Sequence, residues 1–149
     1  MSEVTFDVIG PEDAHALAPL IAAYVQEMMR GAPRRPDDYY ASLLLRDRTA
    51  EVLGARQGHD LVGFAMFFDL PDAITGLRAG QLELLYVLPE ARKGHTARGL
   101  IDKLVSIGER RNWVHLRWLV PEKITADVHV YERLAQPAPW RSYVVPIKG

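Results

Sequence analysis

At 149 residues the chain has the length of one ordinary domain, enough to bury about two-thirds of its unfolded surface. With 48% hydrophobic and 25% charged residues it is neither disordered nor fibrous, and a net charge of −1 offers no global attraction for nucleic acid or an anionic membrane. Cysteine is absent, which removes disulfides, thiolate metal sites and a cysteine nucleophile together.

The N-terminal MSEVTFDVIG lacks the basic-then-apolar pattern of a secretory signal, and no apolar run is long enough to span a bilayer. A cytoplasmic protein is expected. Val4 to Ile9 alternates Val4, Phe6 and Val8 against Thr5 and Asp7, as a half-buried strand does. Gly10-Pro11-Glu12-Asp13 opens a helix with the apolar face Ala14, Leu17, Ile21, Tyr24, Val25 and Met28, and Pro19 should kink or split it. After the loop from Gly31 to Pro36, a second helix from about Asp37 to Arg46 carries Tyr40, Leu43 and Leu44 inward. Two strands follow, roughly Glu51 to Arg56 and Leu61 to Phe68, joined by a hairpin turn at Gln57-Gly58-His59-Asp60. Asp69 to Gly80, with one proline and two glycines, reads as a long loop directly before the next strand.

The stretch from Gln81 to Val105, QLELLYVLPEARKGHTARGLIDKLV, changes character twice. It is an apolar strand to Val87, with Glu83 its only charge, then a basic turn from Leu88 to Ala97. From Arg98 it becomes a helix with Leu100, Ile101, Leu104 and Val105 at helical spacing. Strand, basic loop and helix are a common way to build an anion site: the first helical turn leaves N–H groups unpaired, the helix dipole favours negative charge, and Arg92, Lys93 and Arg98 add full charges. A phosphorylated cofactor is expected on this loop; a solvated basic turn is the plain alternative. Trp113 to Val120 then makes a fifth strand, Thr125 to Leu134 a last short helix, and Trp140 to Ile147 a closing strand. The order is β-α-α-β-β-β-α-β-α-β, a mixed α/β fold with a mostly antiparallel sheet and no domain boundary, so residues 1–149 are expected to be a single domain.

These stretches resemble the GNAT superfamily of acyl-CoA-dependent N-acetyltransferases. LVGFAMFF (Leu61 to Phe68) is similar to the family's third strand, LELLYVLPEAR (Leu82 to Arg92) to its fourth strand and turn. HLRWLVPEKITADVHVYERLA (His115 to Ala135) matches its fifth strand and tyrosine-ending helix. The family's pyrophosphate motif is Gln or Arg, two residues, Gly, one residue, then Gly or Ala. Here Arg92 and Ala97 fit it, while His95 stands at the usual glycine and Gly94 lies one place early. Ile124 replaces the Asn that often begins the last helix, and Ala135-Gln136 the usual Gly-Phe.

The resemblance implies acetyl-CoA as co-substrate. The amides around Leu85, Tyr86 and Val87 would hold its pantetheine arm, and those of Arg92, Lys93, Gly94, His95, Thr96 and Ala97, with Arg98, its pyrophosphate. It also implies a primary amine acceptor, nearest in look to the small-amine and polyamine branch, and leaves a homodimer open, since dimers are common in the family. Tyr39, Tyr40 and the Asp69–Asp72 loop, just before the central strand, could line the acceptor pocket, where Asp69 and Asp72 would attract a cationic amine; solvated loop acids are the plain alternative. An alkylammonium with a pKa of ~10.4 must lose a proton before it can attack. Glu83, the only acid in the central strand, is the candidate base, against the reading of a solvated edge glutamate. Tyr131 matches the family's general acid, against the reading of a core aromatic on the Val128/Tyr131/Leu134 face. The histidines at 15, 59, 95, 115 and 129 have no zinc spacing, so no metal is expected. The basic residues are scattered, which argues against nucleic acid. A non-catalytic acyl-CoA-binding module is the alternative function, favoured by His95, Ile124 and the missing Gly-Phe.

Overall fold

The N-terminal alternation becomes β1, Val4–Ile9, whose strand partner is β2, Ala50–Gln57. The computed structural model describes residues 3–29, 31, 34–120 and 132–148, and these divide into two compact units, Met1–Leu119 and Val120–Gly149.

In the first unit, a 3-10 turn over Pro11–Asp13 leads into α1, Ala14–Met29, and α2 follows at Asp38–Arg46. α1 runs unbroken through Pro19 rather than splitting there. The proline removes one donor near the helix start, and buried Leu17, Ala18 and Leu20 around it hold the ladder together. Asp37 caps α2 by accepting the Tyr40 N–H at 2.9 Å. The expected inward face of α2 is only partly right. Leu44 packs on the core and Ala41 is fully buried, but Tyr40 and Leu43 are about half exposed because α2 is short and lies at the rim of α1.

The remaining strands are β3, Asp60–Asp72, β4, Leu77–Val87, and β5, Trp113–Trp118, with α3, Thr96–Arg111, between the last two. The sheet order is β1-β2-β3-β4-β5, antiparallel throughout except for the parallel β4–β5 pair. The long loop expected over Asp69 to Gly80 is instead the end of a β3–β4 hairpin. Asp72 closes its tip, accepting from the Thr75 N–H at 3.1 Å and hydroxyl at 2.6 Å, while Gly76 supplies a φ of 73°.

Two cores flank the sheet. On one face Leu17 and Leu20 of α1 pack with Ile9, Val52, Leu61, Phe64 and Tyr86. On the other, Leu100, Ile101, Leu104 and Ile107 of α3 are buried. Trp113 stacks edge-on to Phe67 there, and its ring occupies the room left by Gly80 and Gly108.

In the second unit residues 132–134 are helical. The expected last helix otherwise falls on 125–131, outside the described residues. The expected closing strand does not form: Trp140 to Ile147 carries no strand, and Trp140, Tyr143, Val144, Val145 and Ile147 are exposed. A strand needs a neighbour for its amides, and Pro146 removes one donor within the segment.

Candidate active site

β4 and β5 part company at Leu82. Their pairs are Arg78 with Trp113, Gly80 with Leu116, Gln81 with Arg117 and Leu82 with Trp118; β5 then ends while β4 continues to Val87. On its other side β4 stays bonded to β3, and the Leu88 N–H donates to the Val62 carbonyl at 2.9 Å. Ladder bonds alternate along a strand, so Leu85 and Val87 turn their N–H and C=O groups away from β3, into the opening. Among the described residues β5 offers them no partner there. The Val87 carbonyl accepts from Arg92 Nε at 2.8 Å.

A register shift against β3 lies at the same level. Leu82 pairs with Phe67 and Leu84 with Met66, which leaves Glu83 as the extra residue of a β-bulge. The bulge lets Leu82 share the Phe67 face while Leu84 and Tyr86 join the α1 core. It also places a carboxylate where the sheet opens. Gln81 Nε2 donates to Glu83 Oε2 at 3.1 Å, and Arg117 Nη2 donates to Gln81 Oε1 at 3.2 Å. From α1, Tyr24 approaches this group with its ring edge-on to Tyr86 and Phe64. Burial, and then the charge of Glu83, hold the Tyr24 hydroxyl above its ordinary pKa, so it stays protonated at neutral pH.

The basic turn follows directly. A 3-10 turn over Pro89–Ala91 gives way to α3 at Thr96, two residues before the expected start at Arg98. The first helical bond runs from the Gly99 N–H to the His95 carbonyl at 2.8 Å, so Thr96, Ala97 and Arg98 open the helix without intrahelical acceptors. His95 makes no side-chain cap and is exposed, so its imidazole does not fill the turn. Gly94 beside it has open space where a side chain would stand. Lys93 is exposed and Arg98 pairs with Asp102 at 3.2 Å. Arg92 instead turns back onto the fold, against the Tyr86 ring at 5.5 Å and Glu27 at 2.7 Å.

Of the residues expected to form the site, Glu83, Leu85, Tyr86 and Val87 share the open end of β4, and the 92–98 segment directly follows it; the Tyr86 side chain itself is core. Tyr131 lies outside the described residues, as do Ile124 and His129. Asp69 is not a free acid for an amine: it accepts from Arg78 Nε at 2.6 Å and from Arg111 Nη1 at 3.0 Å. Asp72 is occupied by its own turn, and Tyr39 is exposed. The sequence reading missed Tyr24 and Gln81 beside Glu83, and Arg117 behind Gln81. Parallel pairing of Gln81 with Arg117 was the missing information. Among the described residues no group of His, Asp and Glu could hold a metal ion.

The sequence profile described as the acetyltransferase (GNAT) family matches residues 17–135. The chain belongs to this family. It is thus an acetyl-transfer enzyme, in a family that uses acetyl-CoA as co-substrate. Comparison with curated proteins gives no match. Among solved structures the chain is similar to a ribosomal-protein-alanine N-acetyltransferase from Brucella melitensis biovar Abortus 2308. The two are 42% identical, with 97% of this chain and 99% of that one covered and a TM-score of 0.89. The GNAT fold is shared with an aminoglycoside acetyltransferase from an uncultured soil metagenomic sample, at 18% identity, coverage of 98% and 99%, and a TM-score of 0.80. An integron cassette protein from the mobile metagenome of V. cholerae shares it too, at 15% identity, coverage of 100% and 94%, and a TM-score of 0.82.

Proposed function

We propose that this enzyme moves an acetyl group from acetyl-CoA to the primary amine of a small molecule by direct attack in a ternary complex. The observation that carries the reading is the opening between β4 and β5 beside a carboxylate, with an uncapped helix start and a basic turn next along the chain. Outward amides at Leu85 and Val87 suit an amide-bearing arm. The first-turn amides of α3, with Lys93 and Arg98, suit a pyrophosphate. Open space at Gly94 and the outward His95 remove the steric objection to that fit. No cysteine is present to carry an acyl intermediate, which favours direct transfer.

In this reading Glu83 takes a proton from the acceptor ammonium, directly or through water, and frees the nitrogen lone pair to attack the thioester carbonyl. The C–S bond breaks as the amide forms, Tyr131 gives a proton to the departing thiolate, and the second proton lost by the nitrogen restores the Tyr131 phenol. The enzyme is read as one cytoplasmic catalytic domain; the family match from 17 to 135 runs across the division between the two units and supports this. The exposed apolar segment from Trp140 to Ile147 supports a homodimer, which light scattering would register as a doubled mass.

A second acceptor, an alanine of a ribosomal protein, is favoured by the name of the 42% identical Brucella enzyme. CoA release measured with diamines, polyamines and an alanine-initiated peptide decides between them. A small amine should give the highest kcat/KM, and a preference for the peptide would reassign the acceptor. Tyr131→Phe should lower turnover without weakening acetyl-CoA binding; an unchanged rate would remove Tyr131 from the mechanism.

A further inference from the structure

Glu83 does not stand alone at the mouth of the opening. A glutamine amide has one donating and one accepting end, and either can face a carboxyl group. Arg117 settles the choice. A guanidinium only donates, so Arg117 Nη2, 3.2 Å from Gln81, requires the Gln81 carbonyl oxygen on its side. The Gln81 amide must then present its NH2 group to Glu83 Oε2, at 3.1 Å. Parallel pairing of Gln81 with Arg117 puts the two side chains on the same face of the sheet, and the bulge at Glu83 keeps the carboxylate within reach of the residue two places before it.

We propose that Arg117 and Gln81 are positioning residues, which orient the Glu83 side chain with Oε2 occupied and Oε1 presented to the acceptor amine. The inference rests on the reading of Glu83 as the base. The Gln81 NH2 group already donates to Oε2, so the proton from the ammonium goes to Oε1. As the N–H bond breaks the O–H bond forms at Oε1, and after acyl transfer that proton leaves to solvent. Around Glu83, α1 contributes Tyr24, with Glu27 nearly one turn further along beside Tyr86. β5 contributes Arg117 through Gln81, and β3 brings only Met66 and Phe67 opposite the bulge. The fixed positive end of this relay is therefore Arg117.

The test is steady-state kinetics of the full-length enzyme with the amine varied, with circular dichroism and acetyl-CoA affinity as controls. Gln81→Leu should lower kcat about three- to tenfold, with acetyl-CoA affinity unchanged. Arg117→Gln, able to present either end to Gln81, should lower kcat in the same direction. Arg117→Lys, still a donor only, should keep it, and this pair decides the matter if Gln81→Leu fails to fold. An unchanged kcat in folded Gln81→Leu and Arg117→Gln would overturn the positioning role while leaving Glu83 as base. Glu83→Gln separates the two ideas. If it lowers kcat by more than either of those variants, the base reading stands whatever Gln81 does; if it leaves kcat intact, the base reading falls and the positioning role with it.

Discussion

Arg92 donates from Nε to the Val87 carbonyl at 2.8 Å and so folds the basic turn back onto the end of β4. The same guanidinium lies over the Tyr86 ring and reaches Glu27 of α1 through Nη2, so one side chain ties the turn, the strand and the helix together. The guanidinium is thus spent on contacts within the fold rather than freely extended.

Arg92→Ala should lower unfolding stability by about 1 kcal/mol, since a half-exposed ion pair contributes little and the stacking and carbonyl contacts the rest. Arg92→Lys keeps a charge but not the planar fork, and should recover less than half of the loss. Urea denaturation of both variants checks this; a full recovery by lysine would mean that charge alone matters.

Arg111 closes a second cluster on the opposite face. It meets Glu51 with both Nη atoms, at 2.7 and 2.9 Å, reaches Asp69 at 3.0 Å, and lies near the Phe67 and Trp113 rings. Burial works to raise the Asp69 pKa, but the hydrogen bonds from Arg78 and Arg111 outweigh it and hold the carboxyl below the usual carboxylate range. A group depressed in the folded state contributes stability that is complete above its unfolded pKa of ~3.9 and is lost as pH falls towards the folded value. Asp69→Asn should therefore destabilise the protein at neutral pH and by less at pH 3. Thermal melts at both pH values measure the difference; equal losses would show that Asp69 acts by shape alone.

Gly108 sits inside α3, where alanine would ordinarily gain up to about 1 kcal/mol of helix propensity. Its added Cβ would stand 2.6 Å from Trp113 Cε3, so the sign reverses. Gly108→Ala should cost about 1–3 kcal/mol. Combination with Trp113→Phe should cost less than the sum of the two single changes, and strict additivity in a double-mutant cycle would refute the contact.

Gly94 is the opposite case. Its φ is not in the left-handed region, and a Cβ would meet nothing within 4 Å. Gly94→Ala should leave the melting temperature within about one degree, while weakening acetyl-CoA binding roughly tenfold if the backbone must approach a phosphate there. Calorimetric titration reads both the affinity and the fold's integrity; a loss of stability would assign the glycine a structural need.

Most of the first unit was legible because its elements carry strong periodic signals. Val4 to Ile9, the turn at Gly58 and the apolar run before Pro89 all form what their patterns imply. Asp69 to Gly80 misled because its proline and glycines resemble loop composition, whereas Pro71 sits in the strand and Gly80 makes room for Trp113. Pro19 does not split its helix because a proline's local penalty is set against burial that only the tertiary fold reveals. At the site, Glu83 was visible as a lone acid in an apolar strand. Its surroundings were less so: Gln81 lies two places before it on the same strand, but Tyr24 comes by helix docking and Arg117 reaches Gln81 only through strand register.

The most direct test of the site is thermal unfolding of the enzyme with and without acetyl-CoA. Binding at the β4–β5 opening and the 92–98 turn should raise the melting temperature by several degrees, the ~2.7 kcal/mol expected at a hundredfold excess over Kd. An unchanged melting temperature at millimolar acetyl-CoA would contradict the assignment of this opening as the acyl-CoA site.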